Sequence, residues 1–477
     1  MMLASRGRWR IDIPPRMITP PGTLGDGIPL SSNSPSSQKG IEFRMTENDG
    51  LKREIGVWGL VSNSLNIVVG AGIFVLPAIV AEQLGTAAVL AYVICGVLIV
   101  FIMLCFAEIG SRIIVTGGAY AYIEVAFGRY AGFLTTNMFI FGAAIMANAA
   151  VANVLADTLA YFFPVFKTQA IRVLLFVTMF AGFAYLNIRG VKKGMFLVKF
   201  NTIAKLTPLL FIILFGWLSF SPSNFSWTST PSLVDLGEVC LILLFAFVGI
   251  ETGLNVSGEI KNPQKTIPKG IMLSAFTVVL LYTLIQMTAQ GVLGETLPNF
   301  KDAPLAEVGR AMIGPLGATF VVVGACFSMF GNLSGFALNM PRVIFAAARD
   351  EVIPPKSLAN IHARYSTPHV AITSYAALAC FFACTGEFRQ LAMLASASFL
   401  LIYLGVILAV IKYRMTKQDE AGAYKMPGGY LVPSASLIAV LWFLSNLPSN
   451  ELSAMAIFLA LLTMFYLTMN VWRRKHA

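Results

Sequence analysis

About twelve times between residues 57 and 471 the sequence runs apolar for long enough to cross a lipid bilayer. That repetition restricts the fold severely. In hydrocarbon every backbone N–H and C=O must be paired within the protein, and only helices and closed barrels achieve this. The runs approach the roughly 20 residues of a spanning helix and lack the period-two alternation of barrel strands. Composition agrees, with 57% hydrophobic and 12% charged residues where soluble domains carry roughly 25% charged. The chain is therefore expected to be an all-α integral membrane protein. Its spans are expected at 57–80, 86–109, 130–160, 170–188, 195–218, 236–257, 270–292, 316–346, 368–384, 390–412, 431–447 and 452–471.

The basic residues set an orientation. Cytoplasmic connections should hold more Lys and Arg. The even-numbered connections carry Arg112 and Arg129; Arg189, Lys192 and Lys193; Lys261, Lys265 and Lys269; Arg349, Lys356 and Arg364; and Arg414, Lys417 and Lys425. The stretches Ser219 to Glu238 and Pro448 to Glu451 contain none. Both termini are thus expected in the cytoplasm of a multi-pass cell-membrane protein. The net charge of +11 follows from this bias. It does not point to nucleic acid, because the basic residues are scattered over short loops.

Residues 1–50 are rich in Pro, Ser, Gly and Arg without hydrophobic periodicity, which reads as a disordered basic cytoplasmic tail. It lacks a signal peptide's apolar region. Met45 opens "MTENDGLKREIGVWGLV", a second plausible start for the span-bearing chain. All six cysteines fall within or at the ends of apolar runs and read as small packing residues rather than a disulfide framework. The three histidines, His362, His369 and His476, lie outside the spans. No metal site, cofactor motif, catalytic dyad or Walker A loop is expected, so an enzyme and an ATP-driven pump are disfavoured.

Two runs are interrupted. The first carries Val69-Gly70-Ala71-Gly72-Ile73 at its middle, where residues without a Cβ lower the cost of leaving helical geometry. For an isolated Gly-x-Gly, close helix packing through small residues is the better reading. The sixth, "LLFAFVGIETGLNVSGEIKNPQKTIPKGI", holds Gly249, Gly253 and Gly258 together with Glu251. A carboxylate within a span faces protein or water and marks function, or else bonds backbone groups freed at a break. Corresponding interruptions in two halves point to a transport site near the midplane. Half-helix N-termini would offer N–H groups to a carboxylate and freed carbonyls would accept from an ammonium, a pairing that suits a zwitterion.

At these residues the chain resembles the amino acid–polyamine–organocation (APC) family of permeases. "GAGIF" (Gly70 to Phe74) is similar to that family's first-helix pattern, and "FAFVGIE" with "EIKNPQKTIPKGI" to its sixth helix and following loop. "TGGAYAY", "LNIRGVKKG", "KLTPLL", "RVIFAAARDEVIPP" and "YSTP" match in order, so the resemblance covers nearly everything from about residue 50 onward. It implies a five-plus-five inverted-repeat (LeuT-like) core over 51–412 with discontinuous helices 1 and 6. Residues 413–477 would hold accessory helices 11 and 12 and the C-terminus. It further implies amino acid transport by alternating access. Gly70, Ala71, Gly72 and Ile73 would meet the substrate carboxylate. Phe245, Phe247, Val248, Gly249 and Ile250 would supply amino-group acceptors and pocket wall, beside Glu251. Phe245 and Phe336 stand where arginine-exchanging relatives have gating tryptophans.

Lys205 lies about ten residues into the fifth run, hence roughly 15 Å along the helix, too deep for easy snorkelling. In proton-coupled relatives a lysine of this helix occupies the place of a sodium ion. An ammonium there would bond carbonyls at the first break, and proton coupling is the expectation. Lys199, nearer the cytoplasmic end, is the rival position. Asp157, Glu108 and Glu124 read as structural, the glutamates pairing with Arg112 or Arg129. Asn332, Ser334 and Asn339 fit either the path or interhelical bonding. The expected function is proton-coupled uptake of neutral or broad-range α-amino acids. The alternatives are an amino acid or polyamine exchanger and a non-transporting amino acid sensor.

Overall fold

The computed structural model describes residues 53–114, 117–189, 194–225, 231–349, 352–416 and 424–476. The expected N-terminal tail lies outside them. The described residues are helical, with no strand beyond a single bridge between Ile55 and Ile260. The first apolar run is split into α1 (Val57–Val68) and α2 (Gly72–Leu84), and the second forms α3 (Ala88–Arg112). The connection expected between residues 109 and 130 contains α4 (Ala119–Phe127), followed by α5 (Arg129–Asn137). The third run continues through a π-helical stretch, Met138–Ile145, into α6 (Met146–Ala160). Then come α7 (Gln169–Arg189), α8 (Gly194–Gly216) and α9 (Leu233–Phe247), which ends at the second break.

Helix α10 (Pro263–Leu293) starts earlier than hydropathy alone predicts. Pro263 occupies its first position, where the missing N–H costs nothing and the fixed φ suits a helix. Polar residues of the "NPQKTIP" segment thereby become the first turns of a span rather than a loop. The connection after α10 folds into α11 (Pro304–Ile313), and α12 (Pro315–Arg349), α13 (His369–Thr385), α14 (Phe388–Thr416), α15 (Leu431–Ser445) and α16 (Ser449–His476) follow.

Among the described residues, eight helical stretches are long and apolar enough to cross a membrane, and four shorter ones are apolar. Burial ranks them. The Arg129–Ala160 segment buries 83% of its most apolar stretch, against 6% for Ser449–Val471. Small residues explain the former: Ala143, Ala144, Ala149, Ala150, Ala152 and Ala156 are almost wholly buried, so neighbouring helices can approach closely. By contrast α16 turns Leu452, Ile457, Leu461 and Met464 outward, as a lipid-facing helix does.

On the side of the basic connections, Glu108 of α3 is 1% exposed and clamped by two arginines. Arg112 reaches it at 3.2 Å and Arg414 of α14 donates Nε–H at 2.7 Å and a second N–H. The Met426 N–H adds a bond of 3.0 Å, so the carboxylate joins α3, α14 and the segment before α15. The expected pairing of Glu108 with Arg112 is present, within a larger cluster.

Candidate functional site

A broken helix leaves its last carbonyls and the next segment's first N–H groups without intrahelical partners. At the first break Val69 departs from helical geometry (ψ 87°) and α2 resumes at Gly72. The freed carbonyls are claimed by side chains from three other helices. Lys205 Nζ of α8 donates to Asn66 O at 2.7 Å and Val69 O at 3.0 Å. Tyr282 of α10 donates its hydroxyl to Val68 O at 3.1 Å. From α12, Asn332 Nδ2 reaches Ile67 O at 3.0 Å and Ser328 Oγ reaches Val69 O at 3.4 Å. Lys205 is fully buried, and its charge sits at the negative end of the α1 dipole.

The N–H side of this break is different. Among the described residues, the amides of Gly70, Ala71, Gly72 and Ile73 donate to no protein acceptor. The whole stretch from Val68 to Ala78 is buried. Unengaged N–H groups at a helix start form an anion site.

The second break complements it. α9 ends at Phe247, Val248 is extended, and Gly249 takes φ +111°, a conformation that favours glycine. A 3₁₀ segment then runs from Ile250 to Glu259. The Gly249 N–H turns away from the α9 ladder and donates to both oxygens of Glu251, at 3.3 and 3.2 Å. Among the described residues, the carbonyls of Phe245, Ala246 and Phe247 accept from no protein donor. Ser64 of α1 holds the far side of the break by donating to Ile250 O at 3.0 Å.

The two ends meet. A Cβ built on Gly72 would lie 3.0 Å from both Cα and Cβ of Ala246. The start of α2, which bears the unengaged donors, therefore packs against the end of α9, which bears the unengaged acceptors. The same distance refines the expected role of Gly72: its missing side chain is what lets the half-helices touch. Gly70 is less confined, with Asn332 Nδ2 at 3.3 Å from such a Cβ.

The other expected residues divide. Ile73, Val248 and Ile250 are buried at the breaks. Phe245 lies edge-on to Phe388 with centroids 5.6 Å apart, while Phe247 faces Tyr282 at 5.3 Å. Phe336 is half-buried one turn along α12 from Asn332. Glu251, 5% exposed, spends its carboxylate on Gly249, with the Tyr403 hydroxyl of α14 beside it. Asn332 joins the first break, whereas Ser334 bonds its own helix through Gly331 O and Asn339 is exposed. Asp157 pairs with Arg172. The side chain of Lys199 lies outside the described ones.

Nothing in the sequence alone marks Tyr282, Ser328, Ser64 and Tyr403 as site residues. The signal available was a polar residue at helical spacing within an apolar run, as in Tyr282, Gln286 and Gln290. Among the described residues no three His, Cys, Asp or Glu side chains group to hold a metal ion. A cleft of about 410 Å³ lined by Gln264, Lys265, Pro268, Lys269, Met272 and Tyr424 opens at the start of α10, turns away from both breaks.

The amino acid permease family matches residues 55–469. The chain is similar to the serine/threonine exchanger SteT of Bacillus subtilis, 28% identical over 404 residues that cover 83% of this chain and 90% of that one. It is 24% identical to the branched-chain amino acid permease BcaP of the same organism over 443 residues, 90% of this chain and 94% of that one. An arginine/ornithine antiporter of Pseudomonas aeruginosa is 29% identical over 327 residues, 65% of this chain and 66% of its own.

Proposed function

Since this chain belongs to the amino acid permease family, we propose that it moves neutral or broad-range α-amino acids across the membrane by alternating access, coupled to protons through Lys205. Family membership makes it a multi-pass membrane transport protein rather than an enzyme. One observation carries the finer reading: the start of α2, whose Gly70 to Ile73 N–H groups find no acceptor among the described residues, packs against the end of α9, whose Phe245 to Phe247 carbonyls find no donor there. An α-amino acid offers a carboxylate to the first set and an ammonium to the second. Both contacts use backbone, so they are indifferent to the substrate side chain. Selectivity then falls to the wall formed by Ile73, Phe245, Val248, Ile250 and Phe336. Glu251, engaged with Gly249, shapes the break instead of binding substrate charge.

In this reading α1 with α2, and α9 with its 3₁₀ extension, are the first and sixth of twelve spans. The ten spans up to residue 412 form the five-plus-five inverted repeat. The last two helices, in 413–477, are accessory. Both termini are cytoplasmic and the setting is the cell membrane. The burial of Val68 to Ala78 means that substrate entry requires the half-helices to part. Lys205 links that movement to a proton. As an ammonium it fixes the carbonyls of Asn66 and Val69. As an amine it loses the charge that binds the end of α1, and the cap weakens.

An exchanger is the second reading, favoured by two relatives named as an exchanger and an antiporter. Purified protein in liposomes separates the two, using labelled L-serine, L-leucine and L-arginine with an inward proton gradient, a sodium gradient or internal amino acid supplied in turn. Acid-driven net uptake that disappears in Lys205→Met is the expected result. An absolute sodium requirement overturns the role of Lys205. Flux only against internal amino acid makes the protein an exchanger, and binding without flux makes it a sensor.

A further inference from the structure

Helix α10 carries an unusual face for a span. Tyr282, Thr283, Gln286 and Gln290 fall within about 100° of one another around the helix axis, stacked over roughly 12 Å. Tyr282 caps Val68 O at the first break. Gln286 is fully buried, yet neither its amide oxygen nor its amide nitrogen has a protein partner. Thr283 Oγ1 and Gln290 Oε1 are buried and unpartnered as well. Opposite them, α3 packs along α10, with Gly96 against Val279, and contributes the buried, unpartnered hydroxyl of Tyr92 near Tyr282. Five orphaned polar atoms thus gather on adjoining turns of two helices. Leaving such groups dry is costly, and a buried polar cluster of this kind is ordinarily satisfied by internal water.

We propose that this face of α10 holds a line of internal water that carries protons between the outer end of α10 and the amine of Lys205. The inference rests on the proton-coupled reading above. The line runs from Gln290 towards Tyr282 and Lys205. Gln290 lies beside Gly291, whose carbonyl accepts from Ser221 N–H and Asn224 Nδ2, both at 2.9 Å, in the connection before α9. Pro222 and Ser223 of that connection are exposed. At the inner end, Tyr282 and Lys205 bond the consecutive carbonyls of Val68 and Val69. A proton entering from the outer side passes from water to water and onto the Lys205 amine, giving the ammonium that caps α1. The amides of Gln286 and Gln290 hold the waters without exchanging protons. The titratable groups bordering the line are Tyr92 and Cys95 of α3, Cys240 of α9, Tyr282 of α10 and Lys205 of α8.

Gln286→Leu fills the volume with an apolar side chain, and Gln286→Ser leaves space and a hydroxyl for water. Full-length protein in liposomes is assayed with labelled L-serine, L-leucine and L-arginine, once for uptake driven by external acid and once for gradient-free counterflow. Acid-driven uptake should fall by roughly tenfold or more in Gln286→Leu, the scale of one lost hydrogen-bonded link. Counterflow should be retained, and Gln286→Ser should keep both activities. Undiminished acid-driven uptake in Gln286→Leu, or equal loss of counterflow, overturns the water line while leaving Lys205 coupling intact. Wild-type protein that shows counterflow without any acid effect overturns the coupling itself, and the water line with it.

Discussion

In Gly72→Val the added Cβ falls 3.0 Å from the Cα of Ala246, a backbone atom that cannot swing aside. The half-helices must then separate whether or not substrate is present. The variant is expected to unfold at lower temperature even without ligand, so lost binding in it says little about a carboxylate cradle. Gly70→Ala is the sharper test, because its Cβ meets only the end of the flexible Asn332 side chain, at 3.3 Å. It should fold, while the thermal stabilisation given by an excess of amino acid, which follows from mass action, should shrink. Full stabilisation in Gly70→Ala would mean that substrate does not use the space beside the Gly70 N–H. Residue by residue, the sequence separated the site only in part. Glu251 stands out because a carboxylate in a span is costly, but its fold-back of two residues to the Gly249 N–H is a feature of the folded chain alone. Lys205 was legible from its depth, and its target carbonyl at Asn66 lies 139 positions away.

The apolar runs located the elements well, since crossing hydrocarbon is a one-dimensional requirement that length and hydropathy express directly. What they hid was polar sequence absorbed into helices. The start of α10 at Pro263 and the short helices α4 and α11 follow from caps and tertiary packing rather than hydropathy. The same limit hid the full Glu108 cluster. Arg112 is one turn away and could be paired by spacing, whereas Arg414 is separated by 306 residues. That cluster joins elements, and its strength is testable. Arg414→Met leaves a carboxylate that is 1% exposed with one cationic partner fewer. Removing a partner from a buried ion pair costs about 3–5 kcal/mol. Thermal unfolding in detergent should show a marked loss of stability. An unchanged unfolding temperature in Arg414→Met would show that Arg112 and the Met426 N–H suffice.

At the scale of the whole molecule, the breaks matter only if the correct parts move together. The segment before α1 and the segment after the second break are tied by backbone. Glu54 and Ile55 donate to Glu259 O at 2.9 and 3.0 Å, and Lys261 donates to Ile55 O at 2.9 Å. Ser64, donating to Ile250 O, adds a further link deeper in. These bonds join the half-helices on the side of the basic connections into one unit, while α3 and α10 lie beside it. Alternating access by movement of that unit requires the pair to stay joined, and a crosslink within it should be harmless. Ile55→Cys/Ile260→Cys places two thiols at a bridge position, within reach of a disulfide if the Cα atoms stand about 4.4–6.8 Å apart. Oxidation of this variant in liposomes, with bond formation followed by mass spectrometry, should leave amino acid flux within about twofold of the reduced protein, less than the tenfold step of 1.4 kcal/mol. Flux that stops on oxidation and returns on reduction would mean instead that the two half-helices part during transport. The backbone bonds at Ile55 would then be a latch that opens in every cycle.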